Sequence, residues 1–200
     1  MPFTSGILTA VLTYIWLIEG RVSRNVVYAP SALVVLLTIW HDARCGEWGF
    51  SWRSLAPGLW RALAVTLPPA LVFIAAGAAI GTLHDRRDFL GNLAGLFLWG
   101  GAQQWVLQTT VLREAQRASS RGRGIVIAAL LFGTIHLPNP LLAIVTTVAA
   151  LAWCWIYDQH PNIIPLALSH ALGTLAILYA FDDGITGRLR IGASYLRLGD

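Results

Sequence analysis

The chain has 200 residues, of which 56% are hydrophobic and only 12% charged, with a mean hydropathy of +0.62. A soluble domain carries about 25% charged residues, so this composition excludes a soluble globule, a disordered chain, a coiled coil and a disulfide-stapled secreted scaffold. All fourteen cationic side chains are arginine and give a formal charge of +4; arginines flanking apolar runs are the usual membrane pattern, and no nucleic-acid partner is expected.

Apolar runs separated by charged or Pro/Gly-rich breaks predict seven spans: Phe3 to Ile18, Val26 to Trp40, Ala62 to Thr82, Phe89 to Leu112, Ile125 to Leu137, Leu141 to Tyr157 and Ile163 to Phe181. The second and fifth fall short of the roughly 20 residues a bilayer asks for, so they read as tilted companions or partial insertions. Before Glu19 there is no basic segment and no small-x-small cleavage site, so the first span is expected to be retained. The runs lack the alternation of barrel strands, which leaves helices as the way to satisfy the backbone in hydrocarbon. The expected fold class is therefore all-α: one polytopic transmembrane bundle over residues 1–200, with no internal repeat and no linker.

Between His41 and Arg61, tryptophans 48, 52 and 60 mix with Phe50 and arginines 44, 53 and 61, as in interfacial helices, which predicts a segment lying on the membrane surface. Pro68-Pro69 predicts a kink in the third span and Pro138-Asn139-Pro140 a turn after the fifth. The polar tail 182–200 is expected to be a surface-lying end. Cys45 and Cys154 are too few and too unlike in setting for a disulfide framework and are expected to be free, structural thiols. With seven spans the arginines divide seven against seven, and the cluster from Arg113 to Arg123 points that side, and the amino terminus with it, to the cytoplasm.

Strongly polar side chains inside spans cost about 2.5 to 3.5 kcal/mol when charged and are seldom idle. They are Gln103, Gln104 and Gln108 in the fourth span, His136 in the fifth, and His170 with Thr174 in the seventh. Gln104 and Gln108 stand four apart, as do His170 and Thr174, so each pair is expected to share a helix face and three helices to converge on one polar cavity. The ten acidic residues, Glu19, Asp42, Glu47, Asp85, Asp88, Glu114, Asp158, Asp182, Asp183 and Asp200, all fall at predicted ends, loops or the tail. Any carboxylate serving that cavity would have to fold inward from outside.

These residues resemble the motifs of the CAAX-protease and bacteriocin-processing family of intramembrane endopeptidases. That family's pattern is Glu-Glu-x-x-x-Arg, then Phe-x-x-x-His, then His-x-x-x-Asn or Asp, on three helices. Here the three read QQWVLQ (Gln103, Gln104, Gln108), FGTIH (Phe132 to His136) and HALGT (His170 to Thr174), in order, and the resemblance covers about Phe89 to Phe181. It implies a multi-pass protein of a bacterial inner membrane whose cavity takes a membrane-associated or prenylated peptide. It also implies that His136 and His170 activate water and stabilise the transition state, with Phe132 as packing beside them. The departures are Gln103 and Gln104 for the two glutamates, Gln108 for the arginine and Thr174 for the asparagine.

A carboxamide keeps the shape of a carboxylate but cannot accept water's proton, a contribution worth roughly 10² to 10⁴ in rate. Two outcomes are open: a peptide-binding pseudoenzyme, immunity or chaperone-like factor, or an active variant in which a neutral imidazole is the base. Zinc at His136 and His170 is disfavoured, because catalytic zinc takes three protein ligands and amide oxygens are poor ones. The amides also read as interhelical glue, Thr174 as a hydroxyl bonded to its own helix and Trp105 as packing or cavity lining. A small transporter ranks last, for want of an ion-coupling carboxylate.

Overall fold

The computed structural model describes residues 1–19, 21–22, 26, 28–84 and 88–199. Two of the acidic positions, Asp85 and Asp200, lie outside the described residues. No strand occurs among those described, and the helices are α1 (Pro2–Thr13), α2 (Tyr28–Cys45), α3 (Trp52–Ile80), α4 (Phe89–Trp105), α5 (Arg113–Ala118), α6 (Arg121–Thr134), α7 (Pro140–Gln159), α8 (Ile163–Ala180), α9 (Asp183–Thr186) and α10 (Gly192–Leu196). Two π-helical segments extend this list, Tyr14–Ile18 after α1 and Val106–Leu112 between α4 and α5. The chain is thus helical without a break from Phe89 to Ala118.

Three helices, α3, α7 and α8, are long and apolar enough to cross a membrane, with mean hydropathies of 2.1, 1.8 and 1.8. Only 11% of the most apolar window of α3 is buried within the protein. A helix so apolar and so uncovered suits lipid, because water would leave its large side chains unpartnered.

Two compact units make up the chain: Met1–Trp48 with Trp105–Cys154 and Leu189–Asp200, and Gly49–Gln104 with Trp155–Arg188. In the second, α3 packs along α8. Small residues allow the close approach: Gly77 lies directly against the Ala180 carbonyl, where any Cβ would collide, as expected of helix pairs that associate without a hydrophobic driving force. Hydroxyls add the polar links, with Thr66 bonded to Ser169 and Thr82 Oγ1 donating to Ala180 O at 2.8 Å. Asn162 starts α8 by accepting from Ile164 N at 3.0 Å, while its Nδ2 donates to Ser51 O at 2.9 Å.

α3 differs from the sequence expectation. It begins ten residues before the predicted span and runs through Pro57, Pro68 and Pro69 as one element. The segment predicted to lie on the surface is divided: its first residues complete α2 as far as Cys45 and its last ones, from Trp52, are the opening turns of α3. Trp48, Trp52 and Trp60 are all strongly exposed.

In the first unit, the amino-terminal end of α1 rests on Glu114, whose Oε2 accepts the Thr4 backbone N–H at 2.9 Å. That N–H is one of the orphan donors of a helix start. Burial pushes the Glu114 carboxyl upward, but the donors from Thr4 and Phe3 prevail and hold it below the usual carboxylate range. A depressed folded value means stabilisation that is complete above the unfolded value of about 4.3 and is lost as pH falls through the folded one. Glu114→Gln should therefore lower the melting temperature near neutral pH, and the gap from the unmodified protein should narrow as pH falls below the usual carboxylate range. A gap in thermal unfolding that stays constant however far the pH is lowered would refute this.

The Pro138 region forms the expected turn. Asn139 starts α7, its Oδ1 accepting from Leu142 N at 3.1 Å, and its Nδ2 donates to Arg190 O at 3.1 Å. That bond ties in the tail, which is more than a surface-lying end. Gly192 has a φ of +55° and sits against the Ile15 carbonyl where a side chain would collide, and its N–H donates to Leu137 O at 2.8 Å. Gly192 and Ser194 are buried in consequence. Composition misleads here because two backbone contacts at a glycine leave no hydropathy signal.

Candidate functional site

In the second unit Gln104 of the first motif meets His170 of the third. Gln104, fully buried on α4, points its Nε2 at His170 Nδ1 on α8, 3.5 Å away. The approach depends on Gly100, one turn earlier on α4: a Cβ there would lie 3.0 Å from His170 Cγ. Gly101 likewise faces Ala167, its ideal Cβ being 3.5 Å from the alanine methyl. With the amide donating, His170 Nδ1 is the acceptor, so the ring proton sits on Nε2. Gln103 is half-buried, and its Oε1 is sealed from solvent with no hydrogen-bond partner among the described residues. A buried acceptor without a donor is costly and marks a place for water or a ligand N–H. Thr174, one turn beyond His170, is half-buried.

In the first unit His136 follows the end of α6 and is buried. Its Nδ1–H donates to Phe132 O at 2.7 Å, and the Phe132 ring packs edge-on against the imidazole with centroids 5.0 Å apart. The spacing Phe-x-x-x-His therefore has a local cause, since the residue four back supplies both the carbonyl that fixes the tautomer and the ring that fixes the plane. Nε2 of His136 keeps its lone pair. The two imidazoles thus carry opposite tautomers, His136 with an accepting Nε2 and His170 with a donating one.

Gln108 is also fully buried, but it stands in the π segment Val106–Leu112. Such segments are frequent at functional sites.

One buried carboxylate escaped the sequence reading. Asp42 was expected at a span end, yet α2 continues five residues past Trp40, and Asp42 is only 1% exposed. Trp105 Nε1 donates to its Oδ2 at 3.2 Å, Thr109 Oγ1 donates to the same oxygen, and Thr110 Oγ1 donates to Oδ1 at 3.1 Å. An acid from outside the motifs has folded inward, and it holds Trp105 and the π segment. The only hint in the sequence is that Thr109-Thr110 and Trp105 supply three donors within six residues of an apolar span. Trp105 accordingly has a partner in Asp42 and is more than packing.

Among the described residues no three of His, Cys, Asp and Glu come together as a metal site.

Comparison with curated proteins and with solved structures finds no match to this chain. A family model, described as type II CAAX prenyl endopeptidase Rce1-like, matches residues 28–176. That stretch takes in α2, the whole continuous helix from Phe89 to Ala118 and all three motifs, so the chain belongs to the Rce1-like family of CAAX prenyl endopeptidases, membrane-embedded proteases.

Proposed function

We propose that this protein binds the carboxy-terminal region of a membrane-associated, prenylated peptide and cleaves it with an imidazole in place of the family's glutamate. The observation that carries the proposal is the pairing of Gln104 with His170, because it unites two of the three motifs and sets the His170 tautomer. The family pattern gives His136, whose Nε2 keeps its lone pair, the role of water activation as general base, and gives His170 the role of stabilising the transition state. Gln103 Oε1, an acceptor without a donor, takes a backbone N–H of the peptide. Glutamate at position 104 would accept a hydrogen bond from His170 Nδ1–H and reverse the tautomer, so the amide and the histidine belong together.

The same proposal puts the chain in a bacterial inner membrane as a seven-span bundle. Unbroken helix from Phe89 to Ala118 supports a fourth span, and the apolar helix Pro2–Ile18 supports a first.

The test is cleavage of prenylated and unprenylated peptides by the purified protein in detergent. His136→Ala should lower turnover by roughly 10²-fold or more, whereas Gln103→Glu should raise it if a second base helps. Peptide binding with no cleavage in the unmodified protein would overturn the hydrolytic reading in favour of a binding or immunity role, which the loss of both titratable glutamates also suits. Uptake driven by an ion gradient in proteoliposomes would favour a transporter instead.

A further inference from the structure

Beside Asp42 lies a second set of reactive side chains, outside the three motifs. His41 Nδ1 is 3.1 Å from Asp42 Oδ1, and Cys45 Sγ is 3.9 Å from His41 Nε2. His41 and Cys45 stand four apart on α2 and so share its face. The order is nucleophile, base and orienting carboxylate, each within hydrogen-bonding reach of the next. Each member is fixed in a different way. Asp42 is buried and held by Trp105, Thr109 and Thr110. The His41 ring is stacked on Phe3, with centroids 4.2 Å apart and planes 7° from parallel. Nδ1–H then donates to the carboxylate, which leaves Nε2 as the proton acceptor for the thiol. Cys45 itself is exposed, unlike the buried Cys154.

The surroundings indicate what reaches that thiol. One residue before it, the Arg44 guanidinium lies over the Trp40 ring, 3.9 Å from the centroid, and Trp40 and Trp48 are both more than half exposed. Aromatic rings interleaved with a cation at the end of an apolar helix are the composition of a membrane–water interface. An electrophile partitioned into that layer carries an apolar chain.

We propose that Cys45 is an acyl-acceptor thiol, activated by His41 and Asp42, that takes a long-chain acyl group from an acyl thioester. In the step, the S–H bond of Cys45 breaks and its proton passes to His41 Nε2. The sulfur attacks the thioester carbonyl, a new C–S bond forms, the old one breaks, and the departing thiolate takes the proton back from His41. The products are an acylated Cys45 and a free thiol, with no change of oxidation state. A chain so attached would add membrane affinity at the end of α2.

The experiment incubates the full chain in detergent micelles with palmitoyl-CoA or acetyl-CoA and follows intact mass and loss of the added mass on treatment with hydroxylamine. One palmitoyl group should be added, none with Cys45→Ser, and His41→Ala should slow the transfer by tenfold or more. Because His41 also packs on Phe3, His41→Gln, which keeps a side chain in that place, is run beside it with a melting curve for each. No transfer to the unmodified protein, or equal rates in a folded His41 variant, would overturn the proposal. Acetyl transfer as fast as palmitoyl transfer would overturn the lipid assignment. No peptide is cleaved in this assay, so its result is independent of the hydrolytic reading.

Discussion

Asp42→Leu is expected to lower the melting temperature in detergent by roughly 6 to 12 °C, the equivalent of about 3 kcal/mol for a chain of this size. The substitution fills space but leaves the Trp105 indole N–H and the Thr109 and Thr110 hydroxyls without their carboxylate. An orphaned buried donor costs about 1 to 3 kcal/mol. The hydroxyls can turn elsewhere, as Thr109 Oγ1 already lies 2.7 Å from Trp105 O. The indole cannot, so Trp105 sets most of the loss. Asp42→Asn keeps one acceptor and should fall about midway. Tryptophan fluorescence during unfolding reads both, and a leucine variant that melts with the unmodified protein would show that the carboxylate does not hold the π segment.

The second large effect is expected at Gly100. Alanine there brings a Cβ to 3.0 Å from His170 Cγ and 3.1 Å from its Cβ, a crowding that a shift of a few tenths of an ångström relieves, and alanine gains about 1 kcal/mol in helix propensity over glycine. Gly100→Ala should therefore be close to neutral. Leucine has no such remedy: it drives α4 and α8 apart, costs about 1 to 3 kcal/mol by overpacking, and breaks the bond from Gln104 to His170. Nitrogen-15 NMR of the imidazole should show a fixed Nε2–H tautomer with glycine or alanine and an averaged one with leucine. A fixed tautomer in the leucine variant would mean that something other than Gln104 sets it.

The helical class was legible because hydropathy runs and the absence of alternation are properties of composition. Gln104, His136 and His170 were legible as singular polar residues in apolar runs. The Asp42 network was not, because its burial depends on α2 outlasting its apolar stretch by more than a turn, and the residues after Trp40 read as an interface. Nor was the π segment, for no periodicity in QQWVLQTTVL announces a widened turn. The beginning of α3 was missed because WRSLAPGLWR has a surface composition, although it folds as the first turns of the long apolar helix.

The widened stretch Val106–Leu112 also bears on how the chain has changed through descent. A π turn accommodates about one residue more than the α turn it replaces, so one deletion within 106–112 would restore plain α geometry while keeping the orientation of what comes before and after. Descendants of a common ancestor that lack Asp42 have nothing to brace the wide turn and are expected to be one residue shorter there. Length at this point and the identity of a residue more than sixty positions upstream should then vary together, as a gap and a substitution inherited in step.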